Sequence, residues 1–311
     1  MAAAPQPAVG ILPEKADLHT AEARVNKHKA DWRGWKFMWP FAVVFVFVFI
    51  IPIVYAIYIS FFKKQMVGGT KFVGFENYAR LIQDPQFWSS VGRVTIFTVF
   101  QVPIMLFLAA AMALALDSMK LHGTKFFRIS TFLPYAVPAV VSTMIWGFVY
   151  GAKYGLVGSL NDFLGTNIDV LNPDVLLASI ANINTWEYAG YNMLIFYSSL
   201  STIPHSLYEA ASIDGANSFQ SFLRITVPML SPTTFLVVLL STVNLLKEYA
   251  LVQGITQGGP GLSTTYIIQY IFDKGFNQME YGYASAISTV VMIVFALIAY
   301  AQFKVNNGGE T

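Results

Sequence analysis

Two short series of polar residues sit inside long apolar stretches of the chain. Asn184, Glu187, Tyr188 and Tyr191 are spaced i, i+3, i+4 and i+7, so a helix puts all four on one face. Ser241, Asn244, Lys247 and Glu248 are spaced i, i+3, i+6 and i+7 and share a broader face. These side chains suit reversible binding of a hydroxylated solute. Amides donate to and accept from hydroxyls, and aromatic rings stack on the C–H faces of a sugar. Glu187 and Lys247 are expected to pair, because a lone charge at membrane depth costs at least about 2.5–3.5 kcal/mol. A plainer alternative stays open. Asn and Tyr also join helices to one another, and a lysine near an interface can snorkel.

The elements that carry these residues follow from composition. Of the 311 residues, 55% are hydrophobic and only 12% charged, with a mean hydropathy of +0.55. A soluble domain carries roughly 25% charged residues, so lipid is the expected solvent. With no cysteine, disulfides, thiolate catalysis and Cys-based metal sites are excluded. The four histidines are scattered and no HExxH spacing occurs, so nothing points to a membrane-embedded enzyme. The net charge of +2 gives no reason to expect nucleic acid.

A hydrocarbon core of about 30 Å needs roughly 20 apolar residues in a helix. Six stretches qualify: 37–62, 94–116, 129–150, 175–200, 233–251 and 284–301. The fold class is therefore an all-α membrane protein of six transmembrane helices, in which Pro52, Pro103, Pro134 and Pro138 are tolerated as kinks. Residues 1–36 read as a solvated cytoplasmic tail, 37–304 as the membrane domain and 305–311 as a C-terminal tail. No short apolar signal core lies near the start, so the first span is expected to act as an uncleaved anchor. With the N-terminus in the cytoplasm, the cytoplasmic side gathers eleven Lys and Arg against seven outside, most of them in the tail next to span one. That bias favours N- and C-termini both inside.

This topology leaves one polar interlude, "YEAASIDGANSFQSFLRITVPMLSP" (208–232), in the cytoplasm between spans four and five. Ser206 and Glu209 have the spacing of a capping box, so a helix is expected from Leu207. Gly215 can end it in the left-handed conformation. A second short helix from about Ser218 puts Phe219, Phe222 and Leu223 on one side, and Pro228 marks the entry to span five. A well-capped connector would have the same features.

The interlude resembles the EAA loop of bacterial ABC importer permeases at Glu209, Ala210, Ala211, Gly215, Ile225 and Pro228. Other stretches resemble the carbohydrate subgroup, similar to the maltose and glycerol-3-phosphate systems: "FVGFENYARLIQDPQFW" (72–88), "TQGGP" (256–260) followed by Ser263 and Thr264, and "YGYASAIS" (281–288). Together they cover roughly residues 39–304. Glu187 departs from the pattern, where a less acidic residue is expected.

The resemblance implies a type I ABC importer permease (MetI-like) fold in a bacterial plasma (inner) membrane. It implies partners: a second permease, usually forming a heterodimer, two ATPase subunits beneath, and an extracellular solute-binding protein that delivers a sugar. It implies that the loop 206–228 couples to the ATPase through Glu209, Ala210, Ala211, Asp214, Gly215 and Arg224. The chain has no GxxxxGK[ST] loop, so ATP and Mg are expected on the ATPase subunits and no cofactor on this chain. The sugar path is expected along Asn184, Glu187, Tyr188, Tyr191, Asn244, Lys247 and Glu248. Every arginine lies outside a span or at its edge, which favours a neutral sugar over a phosphate ester. The alternative is a self-sufficient secondary transporter, which often carries internal repeats; none is evident here.

Overall fold

A computed structural model describes residues 34–65, 69–118, 123–259 and 264–307. The expected N-terminal tail, apart from its last residues, and Pro260 and Ser263 of the glycine-rich motif lie outside them. The chain divides into two compact units, Met1–Val54 and Tyr55–Thr311.

Helix α1 (Trp35–Ile59) supplies the described part of the first unit. Its large apolar residues, including Phe41, Phe45 and Phe49, are exposed, as a lipid-facing helix requires. Those three rings stack at i, i+4 spacing. Pro52 lies inside this helix. The turn before it, Val46–Ile50, is widened to a π-turn that closes from the Ile51 N–H to the Val46 carbonyl. A proline ring clashes with the carbonyl four residues back in a regular helix, and a π-turn displaces that carbonyl.

The second unit starts within the last turns of α1, at Tyr55, and continues with an antiparallel hairpin, β1 (Phe62–Gln65) and β2 (Gly69–Phe72), which an all-helical reading does not contain. Helix α2 (Glu76–Ile82) follows. Helix α3 (Pro85–Ser118) is the longest and packs against α7 (Leu176–Leu200). Ile180, Met193 and Phe196 of α7 are buried in one core with Phe97, Val102 and Ala109 of α3. Gln101 fastens this seam, donating to the Ala181 carbonyl at 3.0 Å and Thr185 Oγ1 at 2.8 Å.

Between α3 and α7 the sequence reading needs correction. One straight span over 129–150 is absent. Instead α4 (Thr124–Phe132) runs into a 3-10 turn (Leu133–Ala136), and α5 (Ala139–Val149) leaves at 100° to it. A residue before proline is pushed out of helical geometry, and Val137, before Pro138, is extended at φ −78°, ψ 126°. At Gly190 of α7 any side chain would meet the Thr131 carbonyl at 1.8 Å, so glycine is what lets α4 lie against α7. Helix α6 (Leu156–Leu164) is a short connecting helix.

The second correction concerns span five. After α8 (His205–Ile213), helix α9 runs from Ser218 to Leu246 and stops there, not at residue 251. Tyr249 breaks the line at φ −130°, and α10 (Ala250–Ile255) starts a new one. Helix α11 (Ile267–Phe272), a π-turn (Asp273–Asn277) and α12 (Tyr281–Asn307) complete the unit. Among the described residues four helices are long and apolar enough to cross a membrane: α1, α3, α9 and α12. The bent pair α4–α5 makes a fifth if counted as one span.

Candidate functional site

The two polar series meet where α7 passes the break between α9 and α10. Glu187 and Tyr188 from α7, and Asn244, Lys247 and Glu248 from α9 and its end, line one cavity of about 290 Å³ together with Ala139 and Tyr249–Leu251. The series were read from helical spacing alone, and the break at residues 247–249 is what turns them toward each other. Glu187 is 6% and Glu248 9% exposed, while Lys247 is exposed. Glu248 is partly spoken for: its Oε1 accepts from the Leu251 N–H at 2.9 Å at the start of α10, where unpaired N–H groups gather. No ion pair joins Glu187 to Lys247 among the described residues, so the expected pairing is not seen. Lys247 lies just past the last turn of α9 and is exposed.

Two members of the α7 series lie elsewhere. Asn184 is 1% exposed and its Oδ1 has no partner, but it does not line this cavity. Tyr191 lines a separate cavity of about 540 Å³ with Phe132, Ser198 and Thr233. Ser241 serves as helix glue, accepting at 3.3 Å from Asn192 Nδ2. The residue that links the two tyrosines is Tyr135. Its ring stacks on Tyr191 with centroids 4.5 Å apart and meets Tyr188 edge-on at 5.8 Å. Sequence spacing missed it because it belongs to the Pro134–Pro138 break, which reads as a kink and not as a platform.

The polar interlude forms a helix, a turn and a helix, but its caps differ from the expected ones. Helix α8 starts at His205 with Pro204 as its extended N-cap and no side-chain cap. Ser206 therefore lies inside the helix, and the Ser206–Glu209 box does not form. A proline ahead of the first turn has already set the entry. A capping box does form one element later, between Asn217 and Gln220, with both bonds at 2.9 Å. Gly215 sits at φ +83°. Around it the Ala216 N–H reaches the Ala211 carbonyl and the Gly215 N–H the Ser212 carbonyl, the bonding of a Schellman turn. Tyr208 and Thr226 hydroxyls meet at 2.9 Å and tie α8 to α9. The second helix is not separate: it passes through a π-turn at Phe222–Thr226, one residue ahead of Pro228, and continues as α9. Glu209, Ala210, Asp214, Gly215 and Arg224 are exposed and Ala211 half-buried. Ile213, Phe219 and Leu223 are exposed beside them.

The sequence profile of the family described as "Binding-protein-dependent transport system inner membrane component" matches residues 106–307. The chain belongs to this family. It is 31% identical over 268 residues to a sulfoquinovosyl glycerol transport system permease of Agrobacterium fabrum, covering 85% of this chain and 86% of that protein. It is 33% identical over 289 residues to a lactose transport system permease of Rhizobium radiobacter, covering 89% and 95%. In fold it matches a chain of a bacterial ABC transporter involved in the import of the acidic polysaccharide alginate, with a TM-score of 0.79 at 20% identity over 94% of this chain. The molecule is thus a multi-pass membrane permease subunit of an ABC importer.

At the far end of α9 from the interlude, the permease carries a network that sequence reading did not find. Asp84, just before α3, accepts from the Tyr270 and Tyr283 hydroxyls and from the Gln86 N–H at 2.9 Å. Arg80 forks onto Glu280 at 3.1 and 3.0 Å and lies 4.0 Å from the Tyr283 ring centroid. Lys274 approaches Glu280 at 4.0 Å. Burial pushes the Asp84 carboxyl up, but the tyrosine hydroxyls and the Phe87 and Gln86 N–H groups outweigh it and hold the carboxyl below its ordinary value. The motif "ENYARLIQDP" carried these residues, but their partners lie some 200 positions away, and no local spacing reveals that.

Proposed function

We propose that this permease forms half of the translocation path for a neutral mono- or oligosaccharide, and that the cavity between α7 and α9 is where the sugar passes. One observation carries the reading: residues from two helices, chosen by spacing for amide, phenol and carboxyl chemistry, line one cavity at the break in α9. An amide, two carboxyls and the rings of Tyr188 and Tyr249 can engage hydroxyls and C–H faces together. No arginine lines the cavity, so it lacks the bidentate fork that suits a phosphate or a sugar acid. The path residues are Glu187, Tyr188, Asn244, Lys247 and Glu248, with Asn184 and Tyr191 in support.

The reading includes six spans, with α7 and the bent α4–α5 pair crossing the membrane in addition to α1, α3, α9 and α12. Both termini face the cytoplasm of a bacterial inner membrane. A second permease completes the path, two ATPase subunits dock on the 206–228 loop, and an external binding protein delivers the sugar. The exposed Ile213, Phe219 and Leu223 beside Glu209 and Arg224 fit a protein-docking surface better than a solvated connector. Tyr208, Glu209, Ala210 and Ala211 lie on one short helix whose turn is fixed at Gly215, so force applied there is transmitted into α9.

The test is transport of labelled sugars by the reconstituted complex with its binding protein. Leu at Asn244 or Tyr188 is expected to lower uptake while the ATPase subunits still co-purify. Normal uptake by both variants would reduce the cavity to helix packing. For topology, an impermeant thiol reagent should label Gly258→Cys from outside intact cells and leave Asn217→Cys unlabelled.

A further inference from the structure

The largest cavity among those described lies beyond the path residues, at the opposite end of α9 from the coupling loop. It has a volume of about 780 Å³, inside the range of about 300–1,000 Å³ typical of small-molecule sites. Its wall joins the α2–α3 corner, α10 with its following turn, and α11 with its π-turn. It shares no lining residue with the inner cavity, but α10 borders both: Ala250 and Leu251 line the inner one and Gln253 the outer, with Gln257 in the turn that follows.

The chemistry of this wall is unusual. Six glutamines line it: Gln83, Gln86, Gln253, Gln257, Gln269 and Gln278. Its charged groups are engaged within the chain. Arg80 is held by Glu280, Asp84 by the two tyrosines, Asp273 by Asn277 and Gln278, and Lys274 by Gln278 and Glu280. Gln278 is used up in holding Asp273 and Lys274, but other amides of the wall are not. Gln269 is 95% buried by its 5% exposure, and its Nε2 donates to Gln253 Oε1 at 2.7 Å, yet its buried Oε1 has no partner. Gln86 Nε2 is likewise buried without a partner. The side-chain amides of Gln83 and Gln257 have no hydrogen-bonding partner among the described residues, although their backbone N–H groups bond the Arg80 and Gln253 carbonyls. A buried polar atom without a partner costs about 1–3 kcal/mol, so an acceptor and a donor left open in one wall call for a ligand that supplies both. Gln257 also sits at φ +52°, a conformation uncommon for a residue with a side chain.

We infer that this outer cavity is a second, separate binding site for a neutral polyhydroxylated ligand, a staging site that holds the sugar before it reaches the cavity between α7 and α9. The inference rests on the sugar reading above. A hydroxyl donates and accepts at once, as the open Gln86 Nε2 and Gln269 Oε1 require. Tyr270 and Phe272 supply ring surface for C–H contacts. An anionic ligand finds no free cation, because both basic groups in the wall are already paired.

The chain has no cysteine, which makes a protection experiment direct. Gln83→Cys, at an exposed position in the wall, is labelled by an impermeant maleimide in intact cells that lack the binding protein. Tyr154→Cys, exposed and outside the wall, is the control. Maltose, trehalose and lactose are the probes, with glycerol 3-phosphate as the anion. The transported sugar is expected to slow labelling at position 83 severalfold, with no effect at position 154. Adding Gln269→Leu, or Gln86→Leu if the first variant loses its ATPase subunits, should raise the protecting concentration about fivefold, the loss of one hydrogen bond. A sugar that the importer carries but that leaves labelling unchanged overturns the staging site and leaves the inner path standing. Protection by glycerol 3-phosphate equal to that by sugar overturns the neutral class. Protection by sugar-free binding protein, with none by sugar, makes the cavity a protein-docking groove and overturns the inference. A complex that transports none of the three sugars defeats the sugar reading itself, and the staging site falls with it.

Discussion

The two ends of α9 are built by different means. At its N-terminal end the chain is fixed by backbone geometry: a Schellman turn at Gly215, a capping box at Asn217 and a π-turn ahead of Pro228. Side chains add the two capping-box bonds of Asn217 and Gln220 and the Tyr208–Thr226 bond between α8 and α9. Past its C-terminal end, side chains hold the structure, with Asp84, Tyr270, Tyr283, Arg80 and Glu280 joined in one network. The contrast has a physical consequence. A joint locked by its backbone leaves Glu209, Asp214, Arg224 and the apolar residues beside them free to meet a partner. A region locked by its side chains spends its charges internally and keeps only amides for a ligand.

The sharpest way to break this comparison is at the backbone joint. Gly215→Val places a β-branched residue at φ +83°, which costs on the order of 1–2 kcal/mol or more. No neighbouring atom lies within 4 Å of a Cβ built at this glycine, so the penalty comes from the backbone alone. The expected result is loss of most sugar-stimulated ATP hydrolysis in the reconstituted complex. Gly215→Asn, which tolerates the left-handed conformation better, should recover much of it. Stimulation unchanged in the valine variant would make the interlude an ordinary connector.

The next effect separates the cavity from its surroundings. Asn244→Leu removes an amide from the cavity between α7 and α9, and uptake is expected to fall about fivefold to tenfold, as for the loss of a hydrogen bond to a bound ligand. Ser241→Ala removes only the 3.3 Å bond to Asn192 and should change uptake by less than about twofold, since replacing glue between helices costs about 0.6 kcal/mol on average. Equal losses would erase the distinction between path and glue.

That distinction also shows what the sequence made legible. Helical spacing was enough to pick out Glu187, Tyr188, Asn244, Lys247 and Glu248, which line one cavity, because a periodic pattern reports which residues share a face. It could not find the break at Tyr249 that brings the two faces together, since the residues from Lys247 to Leu251 hold no proline or glycine. Pro134 and Pro138 were visible, but a kink and a 100° turn have the same residues. Gly215 was read correctly as a left-handed turn. The capping box was assigned to Ser206 because S-x-x-E fits the pattern, while Pro204 took the N-cap position first. Long-range pairs such as Asp84 with Tyr283 carry no local signal at all.

A smaller effect tests the caps themselves. Asn217→Ala should lower the stability of the complex by about 1 kcal/mol, read as a shift in its thermal midpoint. Glu209→Ala should leave that midpoint unchanged, because Glu209 makes no cap. Any loss of ATPase retention in Glu209→Ala then reports docking rather than folding.

The smallest expected effect is a null one, and it concerns the side-chain end. Asp84→Asn weakens hydrogen bonds to an ionised acceptor, an interaction worth about 1.5–3 kcal/mol when such a bond is lost outright, so the variant should melt earlier than the parent. The pH dependence of that difference follows from the direction of the shift. The folded carboxyl lies below its unfolded value of about 3.9. Its stabilising contribution is therefore fully present above that unfolded value and is lost only as pH falls through the still lower folded one. Thermal midpoints of parent and variant measured from pH 5 to pH 8 should thus run parallel. A gap that widens toward pH 5 would mean that burial outweighs the tyrosine hydroxyls and holds the carboxyl high, because a raised carboxyl makes the parent gain stability as pH falls. The network would then be a pH-sensitive element, and the side-chain end of the molecule would be the adjustable one while the backbone-locked joint stays fixed.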